Sequence, residues 1–234
     1  MLPIIPIAHI YNDFTEKFGI PRQSGLAELP SLIIFEPEYR VKEAFRGLEL
    51  YSHIWLIWQF SENAGRPNGK WSPTVRPPKL GGNKRMGVFA TRSPFRPNPL
   101  GLSAVRLTKI DYAAKNAPVL HVTGADLMNN TPIYDIKPYL PYADSYPEAK
   151  GGFSFQDKKG SLDVDFPETL LDMIPKACRE GIISALAHDP RPSYQNDPQR
   201  VYTFGFGELQ ISFKVCCKRL TVLNVAYEEK EKLR

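Results

Sequence analysis

Up to about residue 142 the apolar residues come in short runs, many at period two. The 22 prolines and 16 glycines of the 234-residue chain interrupt these runs before any becomes long. Alternation of that kind places side chains on opposite faces of an extended backbone, the pattern of half-buried strands. It predicts strands near residues 4–10, 31–35, 53–60, 85–91, 100–110, 119–127 and 135–140, with a short helix at 38–45 ended by Gly47. Seven short strands with one small helix and many Pro/Gly turns predict a mainly β fold, a small barrel. A doubly wound nucleotide fold would need helices between its strands. No G-x-G-x-x-G follows a strand, and residues 65–70 lack the spacing and the Ser/Thr of a phosphate loop.

The second part of the chain reads differently. Residues 146–166 are rich in Gly, Ser, Asp, Lys and Pro, the composition of a linker or long loop. Pro167-Glu168 opens a short helix, and Pro175 starts another that runs to His188. Three strands follow, among them the clean alternation of Leu209, Ile211, Phe213 and Val215. The expected organisation is therefore a barrel over 1–145, a linker over 146–166 and a small α+β unit over 167–234, with a frayed charged end.

Composition narrows the class of function. No apolar run is long enough for a membrane span, and the short, Pro-broken start reads as an edge strand rather than a leader. Cys178, Cys216 and Cys217 show no C-x-x-C spacing. Cys216 and Cys217, being adjacent, would point to opposite faces of a strand, so buried, reduced thiols and a cytoplasmic setting are expected. His9, His53, His121 and His188 are scattered without ligand spacing, so no metal is expected, and no G-x-S-x-G elbow supports a nucleophilic triad.

A formal net charge of +5 and a pI near 9.0 favour a polyanionic partner. Its distribution says more. Between Arg66 and Arg106 the chain carries Arg66, Lys70, Arg76, Lys79, Lys84, Arg85, Arg92, Arg96 and Arg106 with no acidic residue, interleaved with Trp71, Phe89 and Phe95. Cations for phosphates and rings for unstacked bases suit RNA. Inside this run, residues 92–99 read Arg-Ser-Pro-Phe-Arg-Pro-Asn-Pro. Prolines of fixed φ bracketing an Asn make a rigid loop, and rigid guanidinium groups suit carboxylate or phosphate.

The run TVRPPKLGGNKRMGVFATRSPFRPNPLGLS (74–103), followed by ADLMNNTPIYDIKPYLPYADS (125–145), resembles the TsaA-like methyltransferases. EKFGIPRQSGL (16–26), RGLELYSHIWLIWQF (46–60) and DPRPSY (189–194) fit the same family, so the resemblance spans nearly the whole chain. It implies a β-barrel enzyme that methylates N6 of threonylcarbamoyladenosine beside the tRNA anticodon, at position 37, using S-adenosyl-L-methionine, and that works as a homodimer. Where the family usually reads Asp-Gly-Thr-Pro, this chain has Asn129-Asn130-Thr131-Pro132. Asn tolerates the left-handed backbone that Gly would supply, so the turn is expected to persist.

By the same resemblance the adenosyl moiety is held by Arg22, Gln23 and Ser24, by Ser61 and Glu62, and by Leu102 with the backbone of Asp126, Leu127, Met128 and Asn129. Arg92 would pair with a carboxylate, that of the methionine part of the cofactor or that of the modified base. Phe95, Arg96 and Asn98 are placed to grip the substrate base or backbone. Asp135, Lys137 and Tyr139 fall on one face of a predicted strand, where Pro138 implies an edge or bend. Lys137 is a candidate substrate contact. Arg191 is assigned to the anticodon arm or to a second subunit. The N6 nitrogen is a poor nucleophile, conjugated to purine and carbonyl, so its proton must leave as the methyl arrives. Asp126, Asp135 or Tyr139 could accept it. Two other classes compete: an RNA-binding module without turnover, and an enzyme acting on a small adenine-containing metabolite.

Overall fold

A computed structural model describes residues 3–60, 71–153, 162–192, 195 and 197–228. Ser61, Glu62, Arg66, Lys70, Ser193, Tyr194 and the charged end lie outside the described residues, as does the side chain of Lys79. In chain order the first half holds β1 (Ala8–Tyr11), β2 (Pro30–Phe35), β3 (His53–Gln59), β4 (Thr74–Val75), β5 (Met86–Gly87), β6 (Leu100–Asp111), β7 (Val119–Thr123) and β8 (Thr131–Pro138). Then come α1 (Pro141–Asp144), β9 (Asp163–Asp165), α2 (Glu168–Leu171), α3 (Arg179–Ala187), β10 (Tyr202–Phe206), β11 (Leu209–Cys216) and β12 (Arg219–Tyr227). No helix among the described residues is long and apolar enough to cross a membrane.

Six strands close a barrel in the order β1-β2-β7-β6-β3-β8, every neighbouring pair antiparallel. Closure removes both sheet edges and gives the alternating side chains an interior to fill. Ala8 and Ile10, Ile33 and Phe35, Ile54, Leu56 and Trp58, Val105, Leu120 and Val122, and Ile133 form that core. The apolar run Trp55–Trp58 therefore splits by parity. Leu56 and Trp58 are buried, while Trp55 and Ile57 are only half-buried on the outer face. The tail builds a second core between a sheet ordered β10-β11-β12-β9 and α3, with Phe204, Phe213, Ile211, Val222, Ile182 and Leu186 at its centre.

Several boundaries move from their expected places for local reasons. The strand expected at 85–91 is only β5, paired with β4, before a 3-10 turn takes over at Val88–Ala90. The helix expected at 38–45 divides into 3-10 turns at Pro37–Tyr39 and Lys42–Phe45, and Gly47, at φ +87°, ends the second. β7 stops at Thr123 because Gly124 turns left-handed, at φ +81°. β8 starts four residues early, and Pro138 is its last residue, where a lost N–H costs the ladder least. The end of the segment read as linker supplies β9, which pairs parallel to β12.

The most consequential displacement concerns residues 14–29. They precede β2 in the chain, yet Phe14, Ala27 and Leu29 are buried in the tail core, with Phe18 and Ile20 packed against it. Glycines make the fit possible. A Cβ at Gly19 (φ +94°) would come within 2.5 Å of the Phe204 ring, and one at Gly181 within 2.6 Å of Leu29.

Candidate active site

At one end of the barrel an open cleft of about 660 Å³ lies between the 17–23 segment, the 91–98 loop and the ends of β3, β6 and β7. Its size is that of a small-molecule site, which commonly occupies about 300–1,000 Å³. Apolar walls come from Ile20, Pro21, Trp58, Phe60, Leu100, Leu102 and Met128, and polar groups from Lys17, Arg22, Gln23, Arg92, Arg96, Asn98 and Asp126.

Asp126, half-buried, is the end of a donor chain. Trp58 Nε1 donates to Ser103 Oγ at 3.0 Å, and Ser103 Oγ donates to Asp126 Oδ1 at 2.5 Å. Burial pushes the Asp126 carboxyl above its ordinary range; the Ser103 hydroxyl, backbone N–H groups including that of Ser24, and the Arg92 charge pull it part of the way back. The strand register sets this up. Trp58 lies opposite Gly101 and Leu56 opposite Ser103, so the indole crosses over Gly101 to reach the hydroxyl two residues along. A Cβ at Gly101 would come within 2.2 Å of the indole.

The loop after β7 is pinned from β1. Asn12 Nδ2 donates to the Leu127 carbonyl at 2.9 Å, the Asn12 N–H donates to Asn129 Oδ1 at 3.1 Å, and the Asn129 N–H donates to the Phe14 carbonyl at 2.8 Å. Asn130 takes the left-handed conformation, at φ +61°. The turn thus keeps the backbone that a glycine would have, and Thr131 closes it by donating its hydroxyl to the Met128 carbonyl at 2.7 Å. Opposite, the Gly25 N–H donates to the Gly124 carbonyl at 2.8 Å, and the two glycines approach closely enough to lay the 21–26 loop onto Asp126. Arg92 Nη1 donates to Gln23 Oε1, and Gln23 Nε2 to the Arg22 carbonyl. Arg96 donates to the Thr91 carbonyl at 3.0 Å, which stiffens the proline-rich loop.

The sequence candidates therefore separate. Arg22, Gln23, Arg92, Arg96, Asn98, Leu102, Asp126 and Met128 line one cleft. Ser24 reaches it through its N–H, and Asn129 stands behind it, bonded to Asn12. Leu127 is wholly buried in the barrel core, so only its backbone can serve the site. Phe95 is exposed beside the cleft and outside its lining.

Asp135, Lys137, Tyr139 and Arg191 lie away from the cleft lining. Asp135 and Lys137 form a 2.9 Å ion pair on the outer face of β8, and Tyr139 packs past the strand end against Trp55 and His53. None of the three lines the cleft, because the parity that turns Ile133 inward turns Asp135 and Lys137 outward beyond the bulge in β8. Arg191 is only 7% exposed and donates twice to the Asp189 carboxylate, at 2.8 and 2.9 Å, so its guanidinium is engaged within the tail. Cys216 and Cys217 are exposed, since Cys217 lies in the β11–β12 turn at φ +59° rather than in a strand.

Sequence reasoning missed Asn12, Trp58 and Ser103. Inward parity on neighbouring strands was the available signal for the last two, but the strand pairing needed to use it is non-local. No group of three or more His, Cys, Asp or Glu among the described residues is placed to hold a metal ion.

Just ahead of Thr91 in the chain, the short β4–β5 sheet and its flanks carry basic residues. Arg76, Lys84 and Arg85 are exposed, and among the described residues none forms an ion pair. Phe89 is 73% exposed, with its ring 6.1 Å from that of Trp71. Val88, fully buried and donating to the Pro73 carbonyl at 2.9 Å, anchors this exposed corner.

Comparison with known proteins identifies the family. Residues 9–145 match the tRNA-methyltransferase O N-terminal domain, and residues 160–228 match the TrmO C-terminal domain. The chain is 40% identical, over 85% of its length and 86% of the relative, to a tRNA (adenine(37)-N6)-methyltransferase of Escherichia coli (strain K12). It is 44% identical, over 70% of its length and 91% of the relative, to an enzyme of the same name from Eikenella corrodens. A crystal structure of TrmO from P. aeruginosa superposes with a TM-score of 0.78 at 33% identity, covering 97% of each chain. With both family domains in order along one chain, and a solved relative matching it nearly end to end, the protein belongs to the tRNA-methyltransferase O family.

Proposed function

We propose that the protein transfers a methyl group from S-adenosyl-L-methionine to N6 of threonylcarbamoyladenosine at position 37 of tRNA. The observation that carries this reading is the convergence of Asp126, Arg92, Arg22 and Gln23 on one apolar-walled cleft, with an exposed cation-and-ring segment immediately preceding the 91–98 loop in the chain. The cleft suits the methyl donor. Ile20, Pro21, Leu102 and Met128 offer apolar contact to an adenosyl group, and Arg22, Gln23 and Arg92 offer donors to a carboxylate. When bound, S-adenosyl-L-methionine supplies an activated methyl group on a sulfonium centre.

The chain's own part is alignment, exclusion of water and disposal of one proton. Of the three proton acceptors considered, Asp126 alone lines the cleft, so it takes the N6 proton as the N–C bond forms. Its raised pKa improves it as a base, and the Ser103 hydroxyl fixes which oxygen is free. Arg92 pairs with a carboxylate, that of the donor or that of the threonyl group on the acceptor. Arg96, Asn98 and Phe95 meet the flanking RNA, and Arg76, Lys84 and Arg85 meet its phosphates. We further take the enzyme to be a cytoplasmic homodimer. Leu50, Tyr142 and Tyr146 are strongly exposed, as residues of a self-association surface would be in one subunit alone.

Labelled methyl transfer to two tRNA pools, one carrying threonylcarbamoyladenosine and one lacking it, tests the reaction. Label confined to the modified pool is the expected result. Binding of tRNA with no label in either pool would replace the enzyme with an RNA-binding module, and label on free nucleosides would point to a metabolite enzyme. Light scattering of the purified chain tests the dimer.

A further inference from the structure

The donor-binding loop is fastened to the tail. Arg22 Nη2 donates to the carbonyls of Asp189 and Arg191, at 3.2 and 2.5 Å. Those carbonyls belong to a turn with little freedom. Asp189 follows the α3 C-terminus in the left-handed conformation, at φ +51°, its N–H bonded to the Leu186 carbonyl at 3.0 Å. Its carboxylate grips the Arg191 guanidinium by two parallel bonds, and that guanidinium lies 5.9 Å from the centre of the Tyr202 ring. From Arg22 the connection continues inward. The Arg22 carbonyl accepts from Gln23 Nε2, and Gln23 Oε1 accepts from Arg92.

The surroundings point the same way. The loop that carries Arg22 is packed into the tail core through Phe14, Phe18, Ala27 and Leu29. Two further bonds tie it across the chain: Ser184 Oγ of α3 donates to the Leu26 carbonyl at 2.7 Å, and the Gly205 N–H of β10 donates to Glu16 Oε1 at 2.6 Å. The tail is thus the bed on which one wall of the cleft lies.

We propose that the Asp189–Arg191 pair is a positioning device for the donor site: without touching the ligand, it holds Arg22, and through Gln23 it holds Arg92, in the orientation that receives S-adenosyl-L-methionine. This rests on the reading of the cleft as the donor site. Arginine side chains have many rotamers, and a ligand that must order them binds more weakly than one that meets them ordered. The Arg-Pro turn of the tail then serves the cofactor, not the anticodon arm.

The test is calorimetric binding of S-adenosyl-L-methionine to the full chain and to Asp189→Asn, Gln23→Ala and the double variant, with steady-state kinetics on modified tRNA. Asn keeps the left-handed turn and the shape but gives up the charged, two-bond grip. The expected result is a Kd and KM for the donor raised about tenfold in Asp189→Asn (a factor of ten being about 1.4 kcal/mol), with kcat at saturating donor and KM for tRNA unchanged. The double variant should weaken binding by less than the product of the single effects. Arg191→Lys, which keeps the charge but loses the fork, should reproduce the donor effect if Asp189→Asn folds poorly. An unchanged donor Kd, or a rise confined to the KM for tRNA, overturns the proposal. A wild-type chain that binds the donor yet methylates no tRNA refutes the proposed reaction alone, and the variant Kd values then still decide the positioning role.

Discussion

Asp126 combines a donor chain with partial burial, and these two properties can be separated by mutation. Its folded pKa lies above its unfolded value, so in the interval between them the folded state holds more protons than the unfolded chain. Stability therefore falls as pH rises through the folded pKa, and the deficit persists above it. Asp126→Asn keeps an acceptor for the Ser103 hydroxyl but carries no charge. It should melt higher than the wild type at neutral pH and show a flatter stability–pH curve, while kcat drops by about 10²-fold or more. Wild-type turnover should rise with pH through the same range, because only the carboxylate can accept the proton. Full turnover in Asp126→Asn would remove it as the base. Gly101 tests the other end of the chain. An added methyl would press into the Trp58 indole, so Gly101→Ala should cost about 1–3 kcal/mol, shift tryptophan emission and weaken donor binding together. Thermal melting and fluorescence would show whether the indole has moved.

Short elements in this fold carry more than their length suggests. The β11–β12 hairpin turns at Cys217, a non-glycine residue at φ +59°, which costs about 1–2 kcal/mol in an ordinary L-residue. Cys217→Gly should accordingly be neutral or stabilising, raising the melting temperature by a few degrees although it deletes a side chain; a lower melting temperature would show that the thiol is held by a contact worth more than the turn strain. The same turn explains why adjacent cysteines can sit together, their sulfurs 3.8 Å apart, when strand parity alone would part them. The β4–β5 pair is shorter still, yet Trp71 and Phe89 flank it with their rings 6.1 Å apart. Stacking of one base on such a ring is worth about 1–3 kcal/mol, so Phe89→Ala should weaken tRNA binding roughly tenfold or more with donor affinity intact. Phe89→Tyr should keep the affinity, and equal loss in both variants would argue against stacking.

Over the whole molecule, the one-sign run from 71 to 106 predicts that tRNA affinity falls steeply with salt. Lys84→Ala and Arg85→Ala should each reduce the slope of log K against log salt by about 1, without changing donor binding; unchanged slopes would place the RNA elsewhere. Much of this was legible in the chain itself. Alternation at period two encodes the barrel strands, because parity is a property of neighbouring residues. The acid-free basic run encodes a polyanion surface, and the rigid Arg-Pro-Asn-Pro loop marks one wall of a cleft, because proline fixes φ wherever it stands. Long-range pairing decided the rest. Asp135 and Tyr139 looked equivalent to Asp126 until the bulge in β8 and the strand's end turned them away from the cleft. Ser103 gained meaning only when Trp58 reached it from the facing strand. The sequence assigns Arg191 to the anticodon arm or a second subunit, and its two-bond pairing with Asp189 emerges only in the fold. Local backbone preference acts over a few residues and can be read from their order. Which side chains share a buried space depends on barrel closure and on the packing of residues 14–29 into a core built some 150 residues later in the chain, and those follow from burying apolar surface wherever the fold brings it together.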